Sequence, residues 1–116
     1  MYIFDAECYC DECGEAIKKR ILKELNKKPS DFADERNFDS SEFPKGPSDD
    51  EAESDCPEHC ASQEDCLNPT EIEGELYGHF FENNLTDAGV QYIKEADDGP
   101  VVRFWKEYYS QFYDLN

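Results

Sequence analysis

Six cysteines fall in two tight clusters, Cys8/Cys10/Cys13 and Cys56/Cys60/Cys66, more than forty residues apart in the sequence. Whatever joins those clusters decides what the chain can fold into. Only 38% of its 116 residues are hydrophobic, so the apolar core is limited, although 14% aromatic content is ample for a small one. The length fits one domain over residues 1–116. In an oxidising compartment the six cysteines would suggest three disulfides. However, Met1-Tyr-Ile-Phe-Asp5 lacks the basic start and long apolar stretch of a secretory signal. No apolar run approaches the ~18 residues of a membrane span. The expectation is a soluble cytoplasmic protein, and in reduced cytosol clustered cysteines more often hold metal than pair as disulfides.

Cys10-Asp11-Glu12-Cys13-Gly14 reads as a knuckle. Two thiolates two residues apart can face one ion, and the glycine would permit the positive φ that such a turn often needs. Zinc takes four ligands, with sulfur at ~2.3 Å. The second pair must come from residues 55–66, which offer Cys56, His59, Cys60 and Cys66. The reading chooses Cys60 and Cys66 to complete Cys10 and Cys13, with His59 next in line. Cys56-x-x-His59 also has knuckle spacing and stays open, while Cys8 is left as a spare thiol. A filled shell implies structural zinc, because catalytic zinc keeps a position open. A zinc deaminase would need His-x-Glu followed by Pro-Cys-x-x-Cys. Neither His59 nor His79 has a glutamate two residues on.

Charge narrows the function. The net charge is −18. Residues 1–28 hold six acids and six bases, so all of the net charge lies after Lys28. Direct nucleic-acid binding needs Lys and Arg against phosphate, and an anionic membrane is disfavoured for the same reason. The chain would repel both. A densely acidic run, Asp49, Asp50, Glu51, Glu53 and Asp55, is a candidate surface for a basic partner, although such runs are more often merely solvated.

The pattern elsewhere predicts α+β architecture, a small zinc-stabilised domain with a β-hairpin and about three helices. Residues 1–5 suggest a short strand. Ile17, Ile21, Leu22 and Leu25 recur at helical spacing between Glu15 and Lys27. Residues 29–55 read as an acidic, partly flexible loop tacked down by Phe32, Phe38 and Phe43. Thr70–Glu82 reads as a hairpin around Gly74. Thr86 resembles an N-cap for a helix to Ala96, and Pro100 opens a last helix from Val101 to about Leu115. On that helix Trp105, Tyr108 and Phe112 are expected inward. Tyr109 and Tyr113 fall on an adjacent stripe and are candidate partner anchors, although a broad core face is the commoner arrangement. His79 reads as packed. No phosphate loop, nucleophile elbow or His-Glu-x-x-His is present, so no enzyme is expected. A thiol redox role for Cys10 and Cys13 is the weak exception.

Ser54-Asp-Cys-Pro-Glu-His-Cys60, Cys66-Leu-Asn68 and Phe81-Glu-Asn-Asn-Leu-Thr-Asp-Ala-Gly89 together resemble small uncharacterised proteins of phages and gut bacteria. Val90-Gln-Tyr-Ile93 and the aromatic terminal helix extend the resemblance over about residues 54–115. In that group an early Cys-x-x-Cys pair completes a metal site, a place that Cys10 and Cys13 match. Residues 29–53 depart from its pattern, and Cys56 is an extra. The group carries no activity over. Size, acidity and metal site also resemble some phage anti-CRISPR proteins. That resemblance implies an inhibitor of a basic nucleic-acid-handling host protein, most concretely a type II CRISPR effector nuclease, whose channels are positively charged. The competing expectation is a zinc-binding adaptor or accessory protein without inhibitory activity.

Overall fold

In the computed structural model, which describes residues 1–48 and 53–115, the chain starts with a hairpin where the sequence suggested only one strand. β1 (Tyr2–Phe4) pairs antiparallel with β2 (Glu7–Tyr9), Phe4 opposite Glu7. The connecting Asp5 and Ala6 have φ of 51° and 64°, the mirror-image turn whose twist matches a tight two-residue hairpin. Cys8 therefore lies on a strand.

α1 (Asp11–Leu25) begins immediately after Cys10, well before Glu15. Asp11 and Glu12 occupy its first turn, where the helix dipole favours carboxylates. Asn26, left-handed with φ 51°, ends it by turning its N–H back to the Leu22 and Lys23 carbonyls. Gly14 consequently lies inside the helix and supplies no positive φ. It is needed for a different reason: a Cβ there would sit 2.1 Å from Cδ2 of Tyr2, whose ring is laid directly on the helix backbone.

Residues 29–48 return past α1 through two short 3-10 turns, Pro29–Phe32 and Glu35–Asn37. Phe32 stacks on Phe43 at 4.1 Å, and Phe38 meets Phe43 edge-on at 5.7 Å. With Ile21 they form one small core. Lysines close its outside: Lys27 stands 5.6 Å over Phe32 and Lys45 5.4 Å over Phe38, the distance range of cation–π attraction. Of the acidic run, Asp49, Asp50 and Glu51 lie outside the described residues. Glu53 is exposed, and Asp55 accepts a hydrogen bond from the Thr86 hydroxyl at 2.5 Å.

β3 (Thr70–Ile72) and β4 (Glu75–Tyr77) form the expected hairpin, turning at Glu73-Gly74 with φ of 50° and 86°. α2 (Asp87–Glu95) is capped as expected, the Thr86 hydroxyl accepting the Gly89 N–H at 3.2 Å. α3 runs Pro100–Tyr109, shorter than its apolar stripe suggested. Its inward stripe is also rotated by one position. Tyr109 is 1% exposed, and its hydroxyl donates to the Asn83 carbonyl at 2.7 Å. Tyr113 is half-buried, and its hydroxyl accepts the Leu85 N–H at 3.0 Å. Tyr109 belongs to the core, which corrects its candidacy as a partner anchor, and Tyr113 packs against that core, while Phe112, expected inward, is 63% exposed. The reason is polar: the Tyr109 and Tyr113 hydroxyls satisfy backbone groups beside Asn83 and Leu85, which Phe112 cannot do.

Among the described residues three small cores result rather than one. They centre on Ile21/Phe38/Phe43, on Phe80/Leu85/Ile93/Tyr109, and on four cysteines with Phe81. The molecule is elongated, 52 × 30 × 19 Å, with a radius of gyration of 16.2 Å, against about 13 Å for a compact chain of this length. Among the described residues no helix is long and apolar enough to cross a membrane.

Candidate metal centre

Cys10, Cys13, Cys60 and Cys66 converge, their four sulfurs all within 4.8 Å of one another and all four residues buried. Each pair comes from a different half of the chain. Cys10 is the N-cap residue of α1 and Cys13 lies in its first turn, so the helix start aims both thiols the same way. Cys60 is held by its N–H bond to the His79 carbonyl at 2.8 Å, in the bridge that pairs His59 with Phe80. This approach is so close that a Cβ on Gly78 would stand 2.0 Å from the Cys60 carbonyl oxygen. A 3-10 turn, Gln63–Asp65, then returns the chain to Cys66. The two halves are tied directly by Ala61 N–H to the Cys8 carbonyl at 2.8 Å.

The spacing fits a tetrahedral ion. Four sulfurs bound at ~2.3 Å stand about 3.8 Å apart. Here Cys10 and Cys66 are 3.5 Å apart, and Cys13 and Cys66 3.8 Å. Disulfide sulfurs would be ~2.05 Å apart, and all six cysteines are free thiols. The backbone is arranged for thiolates as well. The Leu67 N–H donates to the Cys13 sulfur at 3.3 Å. The Cys13 N–H faces the Cys10 sulfur, and the Asn68 and His79 N–H groups face that of Cys66. Such donors hold anionic sulfur in a dry site.

The thiol acidities diverge accordingly. Burial pushes Cys10 well up, and Cys66 up as well, against their backbone donors. Burial also acts on Cys13, but the Ser62 hydroxyl, the Leu67 N–H and the neighbouring thiols outweigh it and lower it. Four sulfur donors fill the shell of a tetrahedral ion, leaving no position for water or substrate. Disulfide exchange needs a reachable thiolate, and at 2% and 4% exposure Cys10 and Cys13 do not provide one.

The remaining candidates are occupied elsewhere. His59, next in line as a ligand, donates from Nδ1 to the Gly78 carbonyl at 2.8 Å and accepts the Trp105 indole N–H on Nε2 at 2.9 Å. Both ring nitrogens are used, in the neutral form, and burial lowers its pKa. Cys56 is outside the cluster, its carbonyl accepting from the Asn83 amide at 3.4 Å. Cys8 packs against the centre, but its thiol is pushed up to about 11 by burial and the nearby Glu58 carboxylate. His79 lies edge-on to Phe81 at 5.8 Å. Sequence reasoning missed the Ser62 and Leu67 donors, the Gly78 close approach and the His59–Trp105 link. Only the glycine beside a histidine in Tyr77-Gly78-His79 carries any trace of them in the sequence.

No protein-family model matches the chain, and no curated protein or solved structure matches it.

Proposed function

We propose that the four-cysteine centre binds zinc as a structural ion, and that the chain is an acidic binding protein whose target is a basic, nucleic-acid-handling protein. Thiolate donors select zinc over hard cations such as magnesium and calcium. The observation that carries the reading is a filled donor set with no open position in a chain of net charge −18. A centre closed in this way supports a shape rather than a reaction. Structural zinc can contribute ~10–16 kcal/mol of apparent binding energy, enough to hold together three small cores in a chain of net charge −18. A charge of this size steers the molecule to positive grooves, raising association rates by ~10–10³ at low salt.

The most specific form of the proposal, which rests on the sequence resemblance, is inhibition of a type II CRISPR effector nuclease in the cytoplasm of a bacterial host. The test adds purified zinc-loaded protein to a guide-loaded effector and follows target cleavage and complex formation by gel filtration. Inhibition with a co-eluting complex supports it. Full cleavage at large molar excess, with no complex, removes that target. A complex without inhibition moves the reading to the adaptor class.

A further inference from the structure

α3 and the turn that follows it carry two aromatic stripes with four-residue steps, and they differ in how they end: the first in half-buried Tyr113, the second in exposed Phe112. Trp105, Tyr109 and Tyr113 face inward, bonded to His59, Asn83 and Leu85 respectively. Phe104, Tyr108 and Phe112 form the second stripe. Phe80 meets Phe104 and Tyr108 edge-on from beneath, at 5.2 and 5.1 Å. Phe104 and Tyr108 are half-buried against that core, and Phe112, 5.5 Å from Tyr108, is 63% exposed.

Two shallow depressions flank Tyr108. One of about 240 Å³ lies among Phe104, Glu107, Tyr108 and Gln111, and another of about 210 Å³ reaches Glu82, Asn83 and Phe112. Among the described residues no lysine or arginine lines either one. A third depression continues past Phe104 to Glu71 and Glu73. The arginine there, Arg103, is already held by Glu73 at 3.0 Å and by Asp98 at 2.7 Å. The face is thus a row of rings with carboxylates at its edges.

We propose that this face, Phe104/Tyr108/Phe112 with Glu82 and Glu107 at its rim, docks a basic amphipathic segment of the partner protein. The inference rests on the function proposed above and adds the surface and the form of the ligand. Charge complementarity names the occupant. Guanidinium groups can lie over the rings and pair with the flanking carboxylates at once, while apolar side chains of the same segment fill the depressions beside Tyr108. An acidic peptide would meet only like charge. Aromatic residues at the centre of such a patch carry most of the binding energy, and the charged rim governs encounter.

The test uses zinc-loaded full chain and two fluorescein-labelled synthetic helices, one of Leu, Lys and Arg with a single basic face, the other with Glu in place of each basic residue. Fluorescence anisotropy should show binding of the basic helix alone, weakening as salt rises. Phe112→Ala should weaken it about tenfold or more, chiefly through faster dissociation, as expected for an interface anchor. Glu107→Lys should slow association and flatten the salt dependence. Leu25→Ala, an apolar truncation at an exposed position on α1, should change nothing, and circular dichroism with metal content verifies that each variant is folded. If the unaltered chain binds the basic helix but neither α3 variant differs from it, the surface is wrong while the proposed function stands. Loss of binding in Leu25→Ala equal to that in Phe112→Ala also overturns the surface. If the unaltered chain binds neither helix, the surface falls, and the proposed function is decided separately by complex formation with the guide-loaded effector.

Discussion

Replacing a helical glycine with alanine ordinarily stabilises a protein, and Gly14→Ala should do the reverse here. Helix propensity alone favours alanine by about 1 kcal/mol. Against it stands Tyr2: the new methyl would lie 2.1 Å from Cδ2, 2.5 Å from Cγ and 2.9 Å from Cβ of that residue. Because the Tyr2 Cβ is itself too close, turning the ring does not clear the contact. The ring also has nowhere to go, being 2% exposed and hydrogen-bonded through its hydroxyl to Glu15. Either β1 lifts off α1 or the helix start shifts, and that start carries Cys13. Overpacking of this kind typically costs about 1–3 kcal/mol, and backbone displacement places this site at the upper end. The expected net destabilisation is therefore about 2 kcal/mol after the propensity gain. Urea unfolding of the metal-loaded protein, followed by circular dichroism, measures it. A Gly14→Ala/Tyr2→Ala double variant should be more stable than the sum of the single effects, because the contact is shared. A raised midpoint for Gly14→Ala, or strict additivity in the double variant, would refute the close approach.

The other expectations are quicker to state. Cys10→Ser, Cys13→Ser, Cys60→Ser and Cys66→Ser should each abolish stoichiometric zinc by elemental analysis, whereas Cys8→Ser and Cys56→Ser retain it; zinc lost from Cys56→Ser but kept in Cys66→Ser would break the assignment. His59 is kept neutral by burial, with a pKa below its ordinary 6.5. Its contribution to stability is therefore complete above about pH 6.5 and is lost as pH falls through the lower folded value. Trp105, the sole tryptophan, should report this as an emission change with a midpoint under 6.5, read in cobalt-substituted protein whose thiolate absorption tracks the metal; a midpoint at or above 6.5 contradicts the neutral buried ring. Phe43→Ala should lower stability by ~3–5 kcal/mol while zinc content holds; an exposed-residue effect below ~0.5 kcal/mol would mean that the core of residues 29–48 contributes nothing.

Legibility in the sequence followed how local the physics was. The Thr86 cap and the hairpin at Gly74 were readable, because a side-chain acceptor and a glycine act within a few residues. The four sulfurs that converge were also readable, since cysteine chemistry restricts partners so strongly. The first hairpin was not, because Asp5-Ala6 lacks the Asn-Gly or Asp-Gly signature that a turn with two positive φ values usually shows. Gly14 suggested a turn but serves a helix–ring contact made with a residue twelve positions earlier. The face of α3 was misassigned for a related reason. Hydropathy alone ranks Phe112 above Tyr109 and Tyr113, but only the tyrosines can satisfy the backbone at Asn83 and Leu85.

The arrangement of the three cores makes the cysteine centre a joint. α1 packs on β1 and β2, and α3 packs on α2 and β3, so the two ends of the 52 Å molecule meet through the sulfurs and the strand segment beside them. Each arm carries its own hydrogen-bonded elements and its own aromatic cluster. Withdrawal of the ion should therefore act less like melting and more like undoing a hinge pin. Helical signal would outlast the loss of a fixed angle between the arms, and small-angle scattering would register the change before circular dichroism did.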